Sequence, residues 1–392
     1  MARTAPRDIA RLKGSIVPLV TPFRPDGAID EKALVDLIEW QIDSGSHGIS
    51  VCGTTGEPSA LSLEEREQVM ELAARTIRGR VAFVPGTGTN NLDETLRLTR
   101  FAAKLGADAA LVIVPYYNRP SQEGLYRYFR RLADAVDLPL ILYNIPGRTA
   151  VNLEPATMAR LRRDCPNIIG VKESNKDFEQ VSKVLHACGR DFHVYSGIEL
   201  LCYPMLAVGG VGHFSATANV LPREVAALYD HVAAGRWREA IDLHYHLLPM
   251  NEALFLETNP GPVKWVLGQL GRIHPVYRPP LCEPSPANQE RLRQVMASYG
   301  LEPVPRGGEP AAGEDAGGPV AAVGDATGSP DGAGSGIAVG GMGPTSRVSG
   351  RGDAGPRAGA TADPAPGAAG ASGRRGPTAA PDAAGAAGGG TA

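Results

Sequence analysis

The residues best suited to covalent or proton-transfer chemistry stand where apolar runs give way to polar ones. Lys172 closes the run Ile168-Ile169-Gly170-Val171 and is followed by Glu173 and Ser174. A lysine stem held among apolar side chains loses hydration. Desolvation disfavours the ammonium form and supplies the neutral amine that attacks a ketone. The plain alternative is a lysine that snorkels to water or pairs with Glu173, and taken alone Lys172 fits that alternative better. Its companions reverse the balance.

Thr54 and Thr55 lie between Gly53 and Gly56, Tyr143 and Asn144 follow a Leu-rich run, and Tyr116 and Tyr117 end another. Two hydroxyls between glycines suit either an ST-turn or a hydroxyl relay with close backbone approach to a small anion. Tyr143 is either a buried aromatic or a proton shuttle beside the lysine. Arg148 follows a Pro146-Gly147 bend, and if it points inward its planar fork suits a carboxylate. Other candidates carry less. His244 and His246 are two apart in a helical segment, so they diverge and make a poor metal pair. Gly86-Thr87-Gly88 lacks the lysine of a phosphate loop. Lys264, in Asn259-Pro260-Gly261-Pro262-Val263-Lys264, is expected to be structural.

These residues need a scaffold that gathers strand ends. Val- and Ile-rich runs recur at 14–23, 48–53, 81–86, 109–117, 138–146, 168–174, 192–197 and 208–215. They are apolar throughout, as strands buried on both faces are. Helix-periodic segments lie between them, at 30–44, 62–78, 91–105 and 122–136 among others, and Ser62 with Glu65 forms a capping box. Eight strands alternating with helices predict an α/β fold, a closed parallel (β/α)8 TIM barrel, whose sites lie at the C-terminal ends of the strands. The rival, an open doubly wound sheet, lacks its GxGxxG turn after the first strand. Further helical stretches at 222–234, 237–255, 262–270 and 287–298 exceed a minimal barrel. The expected organisation is a catalytic barrel over 1–225, a C-terminal helical subdomain over 226–300, and a tail over 301–392.

The tail has no aromatic, Cys, His or Lys after Tyr299. Such a segment cannot bury enough apolar surface to offset its ordering entropy, so it is expected to be disordered. The net charge of −3 with interspersed signs excludes the basic footprint of nucleic-acid binding. Five scattered cysteines without a CxxC pair fit a reducing compartment. With no apolar leader segment and no run of ~20 apolar residues, the chain is expected to be cytoplasmic and off the membrane.

In order along the chain stand Gly53-Thr54-Thr55-Gly56-Glu57, Tyr116 to Gly124, Leu142 to Thr149, Gly170-Val171-Lys172-Glu173 and Thr258 to Lys264. Together they resemble the dihydrodipicolinate synthase/N-acetylneuraminate lyase family of pyruvate-dependent class I aldolases, over about 14–299. The resemblance implies that Lys172 forms an imine with pyruvate, and that Tyr143, Thr54 and Tyr117 relay protons, Tyr117 from a neighbouring subunit. It implies that Thr55 holds the pyruvate carboxylate, that Arg148 binds the carboxylate of the aldehyde, and that Gly197 and Phe214 line the substrate site. No metal or separate cofactor is implied. The partners are small molecules in a homodimer or homotetramer. A lyase of the synthase branch, making 4-hydroxy-tetrahydrodipicolinate from aspartate semialdehyde for lysine biosynthesis, fits Arg148. An aldolase releasing succinate semialdehyde from 2,4-dihydroxyhept-2-ene-1,7-dioate fits departures such as Pro58, Ile198-Glu199 and His213-Phe214. A non-catalytic barrel acting as a binding protein is the reading from another class.

Overall fold

The computed structural model describes residues 9–304. Beyond Val304 the expected tail lies outside the described residues. The strands are β1 (Gly14–Pro18), β2 (Gly48–Ser50), β3 (Ala82–Phe83), β4 (Ala110–Ile113), β5 (Leu140–Asn144), β6 (Ile168–Glu173), β7 (His193–Ser196) and β8 (Gly212–His213). All pair in parallel, in the order β3-β2-β1-β8-β7-β6-β5-β4. The ends of that row meet: a parallel bridge joins Gly86 to Leu111, and the Leu111 amide donates to Pro85 O at 2.9 Å. The chain forms the predicted (β/α)8 barrel.

The helices are α1 (Glu31–Asp43), α2 (Leu63–Ile77), α3 (Leu92–Lys104), α4 (Gln122–Ala135), a single turn α5 (Pro146–Thr149), α6 (Pro155–Asp164), α7 (Phe178–Cys188), α8 (Cys202–Ala207), α9 (Pro222–Ala233), α10 (Trp237–Ala253), α11 (Gly261–Gln269) and α12 (Pro286–Ser298). Their starts follow side-chain chemistry: the Ser62 hydroxyl accepts from the Glu65 amide while the Glu65 carboxylate accepts from Ser62 N, and Asp30 and Asn91 cap α1 and α3.

Two apolar layers result. Ile16, Ala82, Leu111, Ile141, Ile169, Tyr195 and Phe214 fill the ring, while Val17, Ile49, Leu140, Leu142, Val171 and Val194 face outward onto the helices. The ladders are shorter than the apolar runs, most clearly for 109–117 against Ala110–Ile113 and 208–215 against Gly212–His213. The run 109–117 overshoots because its C-terminal residues leave the ladder and bend over the mouth, whereas 208–215 begins in the turn that ends α8, before its strand starts. Cys52, Glu57 and Tyr117, at φ 56°, 55° and 69°, mark these departures after β2 and β4. Non-glycine residues in the left-handed region cluster where a fold is held for function.

The last helices belong to the same compact unit as the barrel. The chain returns to α11, where the Val304 amide donates to Gln269 O at 2.8 Å. Among the described residues no helix is long and apolar enough to cross a membrane. A chain ending at Val304 keeps every described contact. It is expected to melt cooperatively within about 2 °C of the full chain, and calorimetry of the two side by side checks this.

Candidate active site at the barrel mouth

Parallel pairing sets Tyr143 opposite Lys172 and Asn144 opposite Glu173, after a register shift at Leu140/Ile141 that passes over Ile169. Lys172 is 4 % exposed and has no carboxylate within ion-pair distance among the described residues. Its Nζ lies 4.1 Å from the centroid of the Tyr143 ring and 5.2 Å from that of Phe214. Aromatic faces attract a cation without supplying a counter-charge. The Tyr143 hydroxyl stands 3.4 Å from the Thr54 hydroxyl.

Gly197, after β7, holds the lysine stem from the other side. A Cβ there would fall on the Ser174 hydroxyl and within 2.7 Å of the Lys172 Cε. Phe214 is buried and meets the Tyr195 ring edge-on at 5.3 Å. Pairing between Lys172 and Glu173 does not occur, because consecutive strand residues face opposite ways. Glu173 lies on the outer face, 1 % exposed. Its carboxylate accepts from Asn144 Nδ2 (2.9 and 3.2 Å), Gln180 Nε2 (2.9 Å) and Asn175 N (2.9 Å). Burial nevertheless pushes its carboxyl up to about 7.

A cleft of about 310 Å³ opens over Tyr143, lined by Thr54, Glu57, Arg148, Asn259 and Arg278 among others. Thr55, next in the chain to the cleft-lining Thr54, is buried, its Oγ1 accepting from Asn259 Nδ2 at 3.0 Å. Arg148, in α5, donates from Nη2 to Asn259 O at 3.3 Å. Tyr117 is not brought to this site: its side chain is 91 % exposed. A single chain gathers Lys172, Tyr143, Thr54, Thr55, Arg148, Gly197 and Phe214 but leaves that tyrosine outside.

The comparisons with known proteins cover the part of the chain that forms the barrel and its last helices. The model of the dihydrodipicolinate synthetase family matches residues 11–298. The chain belongs to that family. It is 52 % identical over 292 residues to 4-hydroxy-tetrahydrodipicolinate synthase of Thermus thermophilus, covering 74 % of this chain and 97 % of that one. To the synthase of Thermodesulfovibrio yellowstonii it is 49 % identical, over 74 % and 99 % of the two chains. The crystal structure of dihydrodipicolinate synthase from Aquifex aeolicus superposes with a TM-score of 0.73 at 44 % identity, over 74 % of this chain and 99 % of that one. The chain is therefore a lyase of the class I aldolase kind.

Within this family member, three residues that carried little weight in the sequence turn out to build the site. Lys264, on the first turn of α11, is wholly buried and donates to Glu57 Oε1 at 2.7 Å. Burial pushes the Glu57 carboxyl above its ordinary range and the Lys264 ammonium below its own, each against the pull of the other. The pair ties the turn after β2 to α11, and breaking it from one side would strand a buried charge. Arg278 closes the cleft rim by donating to Glu65 and to the Gly27 and Ala60 carbonyls. Asn259 links Thr55 to Arg148. The only signal in the sequence was a lysine and an asparagine among prolines and apolar residues.

Tyr143, Phe214 and Gly197, all predicted from the resemblance, lie against the lysine itself, and Gly197 admits a direct check. Gly197→Ala is expected to fold, yet to displace the Lys172 amine by a fraction of an ångström to an ångström. Covalent reaction of that amine with a small ketone under borohydride is then expected to slow by about a hundredfold. Mass spectrometry of the trapped adduct against time measures it.

Proposed function

We propose that the chain condenses pyruvate with aspartate semialdehyde through an imine on Lys172, as a 4-hydroxy-tetrahydrodipicolinate synthase. The observation that carries the reading is a lysine amine buried at the mouth of a barrel with no carboxylate in ion-pair distance among the described residues, against the ring of Tyr143, whose hydroxyl stands 3.4 Å from that of Thr54. The Nζ lone pair adds to the C2 carbonyl of pyruvate, and loss of water leaves a protonated imine. That cation draws electrons from the methyl carbon, which releases a proton to give an enamine. The enamine carbon then bonds to the aldehyde carbon, whose oxygen takes up a proton.

Tyr143 and Thr54 are placed to carry those protons, and Tyr117 completes the relay from a neighbouring copy. Its exposure on its own chain supports that assignment. The same requirement supports a homodimer or homotetramer. Thr55 holds the pyruvate carboxylate, Gly197 and Phe214 wall the imine, and Arg148 takes the carboxylate of the aldehyde across the cleft. The chain's five free thiols fit a cytoplasmic setting. The names of the Thermus and Thermodesulfovibrio relatives support aspartate semialdehyde over succinate semialdehyde as the second substrate.

Borohydride added with pyruvate is expected to attach one pyruvate-derived mass per chain, and Lys172→Ala to abolish it. An unchanged mass for the parent chain sinks the imine. With both aldehydes offered, turnover with aspartate semialdehyde is expected to exceed that with succinate semialdehyde; the reverse preference would replace the synthase by an aldolase. Arg148→Ala is expected to raise the KM for the aldehyde by about tenfold to a thousandfold, since a charge-assisted contact is lost, while pyruvate trapping survives. Equal loss of both would move Arg148 out of the aldehyde subsite.

A further inference from the structure

The proposed chemistry gives no role to the motif from Thr258 to Lys264, yet two of its polar side chains, Asn259 and Lys264, turn back to the turn after β2. Lys264 meets Glu57, as described. Asn259 meets Thr55, and it does so from the cleft wall while being only 7 % exposed itself. Its Nδ2 donates to Thr55 Oγ1 at 3.0 Å, and its backbone carbonyl accepts from Arg148 Nη2 at 3.3 Å.

The direction of the first bond matters. A hydroxyl has one hydrogen and two lone pairs. With a lone pair of Thr55 taken by the Asn259 amide, the hydroxyl hydrogen is left free to act as a donor to another group. The amide oxygen Oδ1 is meanwhile buried without a partner among the described residues. A fold seldom leaves a buried acceptor unmatched, and here the orphan is the consequence of presenting the amide's N–H side to Thr55.

We propose that Asn259 is a positioning residue that makes Thr55 a hydrogen-bond donor to the carboxylate of pyruvate and, through its carbonyl, steadies Arg148 on the aldehyde side. Among the described residues it is the one that hydrogen-bonds to both Thr55 and Arg148. The proposal rests on the assignment of Thr55 to the pyruvate carboxylate.

Asn259→Asp keeps the size of the side chain and reverses its hydrogen bonding. A carboxylate there accepts the Thr55 hydrogen and places a negative charge beside the substrate's own. Asn259→Ala removes the orienting donor without adding a charge. Steady-state kinetics on the full chain are expected to show the KM for pyruvate raised about tenfold in Asn259→Ala and about a hundredfold or more in Asn259→Asp. The aldehyde KM is expected to stay within about threefold, because Arg148 binds the backbone carbonyl, which both variants keep. At saturating pyruvate, borohydride is expected to trap a full equivalent in both, and the melting temperatures to stay close to the parent's.

Thr55→Val separates this proposal from the reading beneath it. A raised pyruvate KM in Thr55→Val with an unchanged one in Asn259→Asp overturns the role of Asn259. An unchanged pyruvate KM in Thr55→Val overturns the assignment of Thr55, and the proposal with it. Parallel changes in both KM values together with a large drop in melting temperature would make Asn259 a purely structural residue and overturn the proposal as well.

Discussion

Between Ile168 and Val171, β6 carries one residue more than the partner strand matches. Leu140 faces Ile168, and the next pair is already Ile141 with Gly170. Ile169 points into the barrel with Ile141, whereas Val171 points out with Leu142. In an unbroken strand Ile169 and Val171 would share a face, and Lys172 would lie outside among the helices. The irregularity resets the alternation, so that Lys172 enters the ring beside Tyr143 and Glu173 leaves it. A bulge of this kind is a way to re-aim a side chain next to a site.

Once that parity is set, both faces of the strand end are fixed by their surroundings. Inside, Lys172 is confined by the Tyr143 and Phe214 rings and by the backbone of Gly197, so its amine has little freedom. Outside, the Glu173 carboxylate is held by Asn144, Asn175 and Gln180 and has no ion-pair partner among the described residues. Four N–H contacts make its burial tolerable, and they join β5 to β6 one residue beyond the reactive pair. The same bonds that satisfy the glutamate therefore hold the lysine in register with its tyrosine.

The opposite wall of the cleft is built differently. The turn after β2 takes left-handed conformations at Cys52 and Glu57, which cost free energy for side-chain-bearing residues. The Glu57–Lys264 pair and the Asn259–Thr55 bond hold it from α11 and from the loop before that helix. Helices beyond the minimal barrel are thus part of the site's wall. Lys264 of α11 and Asn259 just before it both serve the second-strand turn, and Arg278 seals the rim above it.

Much of this was legible in the residues. Apolar runs at regular spacing imply buried parallel strands whatever their environment, because a strand covered on both faces has no polar side to show. Helix starts were legible too, since caps such as Ser62 with Glu65 are satisfied within a few residues. Local order of the motifs likewise put Thr54, Tyr143, Arg148 and Lys172 at strand ends. The direction in which Lys172 points was not available, because an all-apolar run has no alternation to reveal a bulge. Nor were Glu57 and Thr55 as the partners of Lys264 and Asn259, since they lie more than two hundred residues away in the chain. Periodicity and capping are local properties that a sequence carries by itself. Which face a residue takes, and which distant group satisfies it, depends on register and packing that exist only once the ring has closed.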